Sequence, residues 1–295
     1  MTLTPKAKVL ITGAHGQVGL ELQATAPSGW QVLARGMGDL DVTQADAVRD
    51  LIQRERPAVV IQAAAYTDVD QAERQVELAE AVNATGASNV AEAAARIGAR
   101  MIHLSTDFVF DGRQGRPYTP DAPASPLGVY GRTKLAGERE VTRVTGGVAL
   151  IVRTAWVYSV HGRNFVRTML GLMAEEQSVN VVCDQVGTPT WGRTLAEALW
   201  RAADRSDLHG IVHWTDAGVA SWYDFALAIQ EEALALGLLS TAVPVCPIRT
   251  EEFPTAARRP SYSVLDKTSG WAALGGPARH WRANLRTMLQ GLACA

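Results

Sequence analysis

The stretch Lys8–Ala26, KVLITGAHGQVGLELQATA, passes from a short apolar strand through a turn carrying Gly13, Gly16 and Gly19 into a helical pattern. The position of these glycines says more than their G-x-x-G-x-x-G spacing. Between a strand and a helix, glycines permit a tight turn and let backbone approach a pyrophosphate, while the helix N-terminus offers free N–H donors and partial positive charge. The stretch predicts the first β-α unit of a dinucleotide-binding sheet.

The pattern repeats outward from there. WQVLARG (30–36) reads as a second strand, QADAVRDLIQRERP (44–57) as a helix ended by Pro57, and AVVIQAAAY (58–66) as a third strand. ELAEAVNATGASNVAEAAARIG (77–98) reads as one long helix, RMIHLSTDFVF (100–110) as a fourth strand, and VALIVRTAWVY (148–158) as another. Apolar runs without strict alternation belong to strands buried on both faces, as in a parallel sheet covered by helices. The expected fold class is α/β, a doubly wound parallel (Rossmann) sheet over residues 1–153. A smaller, less regular substrate domain follows over 154–295, where loops such as DQVGTPTWG (184–192) interrupt the alternation. Part of 187–218 is expected to return a helix and a strand to the first sheet.

Composition narrows the function classes. The net charge is −2 with basic residues scattered, which gives no electrostatic footprint for nucleic acid. Cys183, Cys246 and Cys294 are far apart and read as reduced thiols. The six histidines show no metal-binding spacing, and His103 is expected to be a core residue with a satisfied ring. No apolar run reaches the roughly 18 residues of a membrane span, and the N-terminus lacks a signal-peptide pattern. The expectation is a cytoplasmic protein with no membrane or nucleic-acid partner.

The end of the second strand decides the cofactor. An acidic side chain there would accept hydrogen bonds from the adenosine ribose, but the residue is Arg35, whose guanidinium suits a 2′-phosphate. NADPH is favoured, with NADH possibly accepted, and Asp41 and Val42 are placed near the adenine.

SPLGVYGRTKLAGE (125–138) adds the chemistry, as a helix expected to begin with Ser125 as cap and Pro126 in its first turn and to end near Gly146. Tyr130 and Lys134, four residues apart, share one helix face. The same spacing also suits a ring beside a solvated ammonium. With a dinucleotide site in the chain, however, Tyr130 becomes a general acid for the alkoxide that hydride transfer to a carbonyl leaves, and Lys134 the group that lowers its pKa. In LSTDFVF, at the end of a strand, Thr106 is the expected hydroxyl donor to the carbonyl, with Ser105 as the lesser alternative.

These segments together resemble the extended short-chain dehydrogenase/reductases, and among them the dTDP-4-dehydrorhamnose reductase family. The resemblance spans nearly the whole chain through ITGAHGQVG, QAAAYTDVDQAE, VNATG, HLSTDFVFDG, SPLGVYGRTKLAGE, VRTAWVY, NFVRTML, DQVGTPT and RRPSYSVLD. It implies a reductive site of Thr106, Tyr130 and Lys134, with Asp107 and Trp156 holding a dTDP-sugar substrate. It places Gly16, Gln17 and Val18 under the pyrophosphate, Ala65, Tyr66 and Thr67 along the cofactor, and Asn164 and Phe165 around the substrate. Arg258 and Arg259 are candidates for the substrate pyrophosphate by charge and loop position.

Two departures matter. Some members carry an acidic residue where Arg35 stands, so their dual cofactor use need not transfer. Some members form a magnesium-linked dimer through an acidic residue at the place of Arg193; a cation cannot ligate magnesium, so no obligatory metal is expected and a homodimer stays open. Other nucleotide-sugar 4-ketoreductases or epimerases, and a non-catalytic regulatory subunit of the methionine adenosyltransferase type, are the alternative functions.

Overall fold

The computed structural model describes residues 7–293, so Cys294 lies outside the described residues. β1 (Ala7–Thr12), α1 (Gln17–Ala24), β2 (Trp30–Arg35), α2 (Ala45–Glu55) and β3 (Val59–Gln62) form the first half of a wound sheet. Short helices α3 (Val69–Ala72) and α4 (Val76–Glu80) lead through a π-helical turn (Ala81–Thr85) into α5 (Gly86–Arg96). β4 (Arg100–Thr106), α6 (Val129–Thr145) and β5 (Leu150–Thr154) complete this half.

The remainder is less regular. It contains β6 (Val157–Tyr158), α7 (Phe165–Glu175), β7 (Val179–Val182), β8 (Val186–Gly187), β9 (Thr190–Trp191), α8 (Gly192–Ala203), β10 (Gly210–His213), β11 (Ala220–Ser221), α9 (Trp222–Ala235), β12 (Val245–Ile248), α10 (Thr268–Ala273) and α11 (Trp281–Ala293). Here the chain crosses back: β10 pairs in parallel with β5, and α8 packs against α1.

The main sheet is parallel, in the order β10-β5-β4-β3-β1-β2. Its order reverses between β1 and β3, and the crevice beyond the C-terminal strand ends at such a switch point is where open α/β sheets take ligands. Both faces are covered. Val9, Ile11, Ile61, Ile102 and Val152 pack against Leu195, Leu199 and Trp200 of α8, and Leu10, Val60, Met101 and Ile151 pack against α2 and α5. A second core joins α7, α9 and α11 around Phe225, Met173 and Leu285.

Two local expectations change. α6 starts at Val129, not near Ser125, because its N-terminus is capped from a neighbouring segment: the Val129 N–H donates to Glu73 Oε1 at 2.7 Å. Gly128 makes room for this, since a Cβ there would lie 2.7 Å from the same oxygen. The helix ends where expected, at Gly146 with φ +61°. The helix expected over 77–98 is interrupted by the π-helical turn, which carries Asn83. Asn83 bonds the Tyr66 N–H and C=O and the Thr133 hydroxyl, tying the loop after β3 to α6.

Candidate active site

A cavity of about 660 Å³ opens at the switch point and extends to the C-terminal segment. Its floor is the glycine turn. Gly13 has φ +66°, and a Cβ on it would lie 2.5 Å from Ala64 N; a Cβ on Gly19 would lie 2.3 Å from Gly13 O. Gly16 is the N-cap of α1 with no side-chain capping bond, so the first N–H groups of the helix face the cavity without a protein partner at the cap. Gln17, Val18, Asp41, Val42, Ala65 and Thr67 line the same cavity. These features fit a dinucleotide, with close backbone approach for a pyrophosphate and an uncapped helix end for its charge.

Thr106, Asp107, Tyr130 and Lys134 border the cavity together. β4 delivers the first two at its C-terminal end, and the first turns of α6 deliver the others. The Thr106 hydroxyl donates to Asp107 Oδ1 at 3.1 Å and accepts from Phe108 N–H at 3.1 Å. Ser105 also borders the cavity, but its hydroxyl donates to the buried carboxylate of Glu138. Both hydroxyls thus donate to carboxylates, Thr106 to Asp107 on the cavity wall and Ser105 to Glu138 behind it.

The electrostatics differ from the expectation drawn from spacing. Lys134, 3% exposed, donates from Nζ to the Leu104 carbonyl oxygen at 2.6 Å. Burial lowers its pKa to about 8, against an upward pull from Glu138. The Tyr130 phenol is pushed up to about 12 by burial, with the Thr106 hydroxyl lowering it and Asp107 raising it. In the protein alone, therefore, Lys134 does not bring the phenol toward neutrality. Asp107 is raised by burial to about 7, opposed by the hydroxyls of Ser263 and Thr106 and by nearby backbone N–H groups.

Of the expected substrate residues, Trp156, Asn164 and Arg259 border the cavity. Asn164 also caps α7, accepting from Arg167 N–H at 3.2 Å and donating to Gln17 Oε1 at 3.0 Å. Arg259 is anchored by Asp70 at 2.6 Å. Four expected residues stand back from the wall. Arg35 donates to the Ala34 carbonyl, Tyr66 is held through its backbone by Asn83, and Phe165 packs on Trp222 and Phe225. Arg258 lines a separate groove of about 530 Å³ that shares Arg259 with the main cavity.

The sequence reading missed Met37, Arg163 and Trp222 on the cavity wall. Trp222 had a signal: it follows Ser221 in a capping box closed by Asp224, which fixes it at the first turn of α9. His103 is buried, yet neither ring nitrogen has a hydrogen-bond partner, contrary to the expected satisfied ring. Arg193 pairs with Glu197 at 3.8 Å. Among the described residues, no group of three or more His, Cys, Asp or Glu side chains is placed to hold a metal ion, and no helix is long and apolar enough to cross a membrane.

Comparisons with known proteins place this geometry. The sequence model of a family described as the RmlD substrate binding domain matches residues 7–294. The spore coat polysaccharide biosynthesis protein SpsK of Bacillus subtilis (strain 168) is 41% identical, covering 96% of this chain and 97% of its own. A dTDP-4-dehydrorhamnose reductase of Streptomyces griseus is 44% identical, over 97% of this chain and 94% of its own. The crystal structure of dTDP-4-dehydrorhamnose reductase from Bacillus anthracis str. Ames in complex with NADP superposes with a TM-score of 0.91 at 36% identity, over 96% of this chain and 99% of that one.

Proposed function

The chain belongs to the RmlD substrate-binding family, and from that footing we propose that it is an NADPH-dependent reductase that converts the 4-keto group of dTDP-4-dehydro-L-rhamnose to the alcohol of dTDP-L-rhamnose. One observation carries the reading: Thr106, Tyr130 and Lys134 converge on a single cavity whose other end is the glycine turn.

NADPH, when bound, supplies the hydride. The rest falls to the chain's own groups. The glycine turn and the α1 N-terminus hold the phosphates, and Arg35 at the end of β2 is the charge for a ribose 2′-phosphate. Thr106 turns its hydroxyl from Asp107 to donate to the carbonyl oxygen and stabilises the negative charge that develops there. Tyr130 gives its proton to that oxygen, and its high pKa in the free protein keeps the proton in place until charge develops. Lys134 anchors the catalytic helix to β4 through Leu104 and brings positive charge toward the phenolate. Asp107, Trp156 and Asn164 frame the sugar, and Arg259 faces the diphosphate, while Arg258 stays in the neighbouring groove. The same reading places the enzyme in the cytoplasm and leaves a homodimer to be counted by light scattering.

The test is NADPH oxidation with enzymatically generated dTDP-4-dehydro-L-rhamnose beside UDP and GDP 4-keto sugars. Rapid oxidation with the dTDP sugar and recovery of dTDP-L-rhamnose supports the reading; NADPH binding without reduction of any sugar refutes it. Tyr130→Phe should keep NADPH affinity and lose on the order of 10²–10⁴ in turnover.

A further inference from the structure

Tyr130 is the second residue of α6, so it sits on the turn whose first N–H groups have no partner within the helix. The helix cannot cap that turn from its own sequence. Its N-cap is Gly128, which has no side chain to offer, and its first turn holds no acidic residue. The Val129 N–H donates instead to Glu73 Oε1 at 2.7 Å, and Glu73 is the C-cap of α3. Among the described residues the Glu73 carboxylate makes no other hydrogen bond or ion pair. Gly128 leaves room for it, because a Cβ there would fall 2.7 Å from the same oxygen.

α3 is well placed to carry this contact. Its Asp70 accepts from Ala257 N–H at 2.9 Å and pairs with Arg259 at 2.6 Å, which ties the short helix to the C-terminal segment. Its Ala72 is buried with Ala79 and Val129 in a small cluster on which Tyr130 packs.

Resting on the reductase reading, we propose that Glu73 is a positioning residue for Tyr130: by holding the Val129 N–H it sets where α6 begins, and so where the phenol stands against the substrate carbonyl. Two anchors bracket the tyrosine. Lys134, one turn further on, is tied to the Leu104 carbonyl of β4 at 2.6 Å, and Val129, one residue before it, is tied to α3. With the Lys134 anchor alone, the first turn frays as unpartnered helix ends do, and it carries the phenol with it. A reacting group misplaced by about 1 Å costs on the order of 10²-fold in rate, so a small shift of the helix start reaches turnover. The carboxylate offers both an acceptor and a negative charge at a helix N-terminus. Glu73→Gln keeps the first and removes the second.

The experiment measures kcat, KM for dTDP-4-dehydro-L-rhamnose and NADPH affinity for Glu73→Ala and Glu73→Gln, each alone and combined with Tyr130→Phe. Glu73→Ala should lower kcat about tenfold or more, with KM and NADPH affinity within about threefold of the wild type. Glu73→Gln should stay within about threefold throughout, the scale of one charge at a helix N-terminus. In the Tyr130→Phe background Glu73→Ala should cost no further turnover, because the proton donor that it places is gone; a general disturbance of the cavity would cost turnover in both backgrounds. Gly128→Ala, whose Cβ meets the same oxygen, should act like Glu73→Ala and add nothing to it. Amide hydrogen exchange over residues 129–132, which needs no substrate, should be faster in Glu73→Ala than in the wild type. The proposal is overturned if Glu73→Ala keeps its kcat, if Glu73→Gln falls as far, if the loss persists in the Tyr130→Phe background, or if exchange is unchanged. Failure of the wild type to reduce the sugar would instead refute the reductase reading, and the exchange rates would still decide whether Glu73 holds the turn.

Discussion

The indole of Trp156 lies parallel to that of Trp222, with ring centroids 3.5 Å apart and 4° between planes. Gly187 also abuts Trp156: a Cβ there would sit 2.5 Å from the ring. Trp156 is thus packed by a glycine backbone and a second indole, with φ at +47°, a conformation that costs a bulky residue energy and persists only where its surroundings enforce it. Both indoles border the cavity, so the stack fixes where Trp156 stands on its wall.

Trp222→Leu should therefore raise KM for the dTDP sugar about 3- to 10-fold, the worth of one aromatic pair, with a smaller change in kcat. Trp222→Phe should recover most of the loss. Gly187→Ala should raise KM as well, by pushing the Trp156 indole from its place. Steady-state kinetics on the three variants checks the argument, and equal losses in the Phe and Leu variants would contradict it.

Arg35 is the residue we propose for cofactor choice. It ends β2, and beside it Asp39 accepts from Gly36 N–H at 3.0 Å and lies 3.9 Å from His15 Nε2. With that carboxylate turned to the backbone and to His15, the guanidinium, which donates to the Ala34 carbonyl, is the charge we propose for a 2′-phosphate. Arg35→Ala should weaken NADPH binding about tenfold, the lower end for a charged hydrogen bond because the site is partly exposed, while NADH binding stays within about twofold. Titration calorimetry with both nucleotides tests this.

Glu138 and Arg153 form an ion pair at 2.7 Å with each side chain 3% exposed, and Ser105 and the Pro120 carbonyl complete their bonding. Removing one partner leaves the other charged and dry. Glu138→Ala should cost about 3–5 kcal/mol of stability, whereas Glu138→Leu combined with Arg153→Met should cost clearly less than the sum of the single changes. Urea denaturation of the four proteins in the cycle provides the measurement.

The sheet was legible because both of its faces are buried: continuous apolar runs mark β1, β3, β4 and β5 wherever they occur in the chain. The glycine turn was legible because close backbone approach excludes side chains at Gly13 and Gly19. What escaped was whatever depends on a distant partner. Ser125 and Pro126 look like a helix start, yet Glu73, more than fifty residues earlier, sets it at Val129. Trp222 reaches the cavity through long-range packing on Trp156 and Phe165, which no local spacing encodes. Likewise, the i,i+4 relation placed Tyr130 and Lys134 together but could not show that burial would raise one pKa and lower the other.

His213 offers a test of stability against pH. It is fully buried on β10, with Nδ1 3.0 Å from the Tyr118 carbonyl and Nε2 3.5 Å from Arg153 Nη1. Nδ1 must carry the proton to bond the carbonyl, so Nε2 is left to accept from Arg153, and a second proton would face a guanidinium. Burial first, and then Arg153, lower its pKa from 6.5 to about 3. The unfolded chain therefore takes up a proton between pH 6.5 and 3 that the folded chain refuses. Stability from this group is complete above pH 6.5 and falls as pH drops toward 3, by on the order of 4 kcal/mol across the window. His213→Gln should be less stable than the wild type at pH 7 but lose less on acidification, its unfolding free energy changing between pH 7 and 5 by about 2 kcal/mol less than the wild type's. Urea denaturation of both proteins at those two pH values decides it, and parallel losses would show that His213 takes up its proton in the folded state.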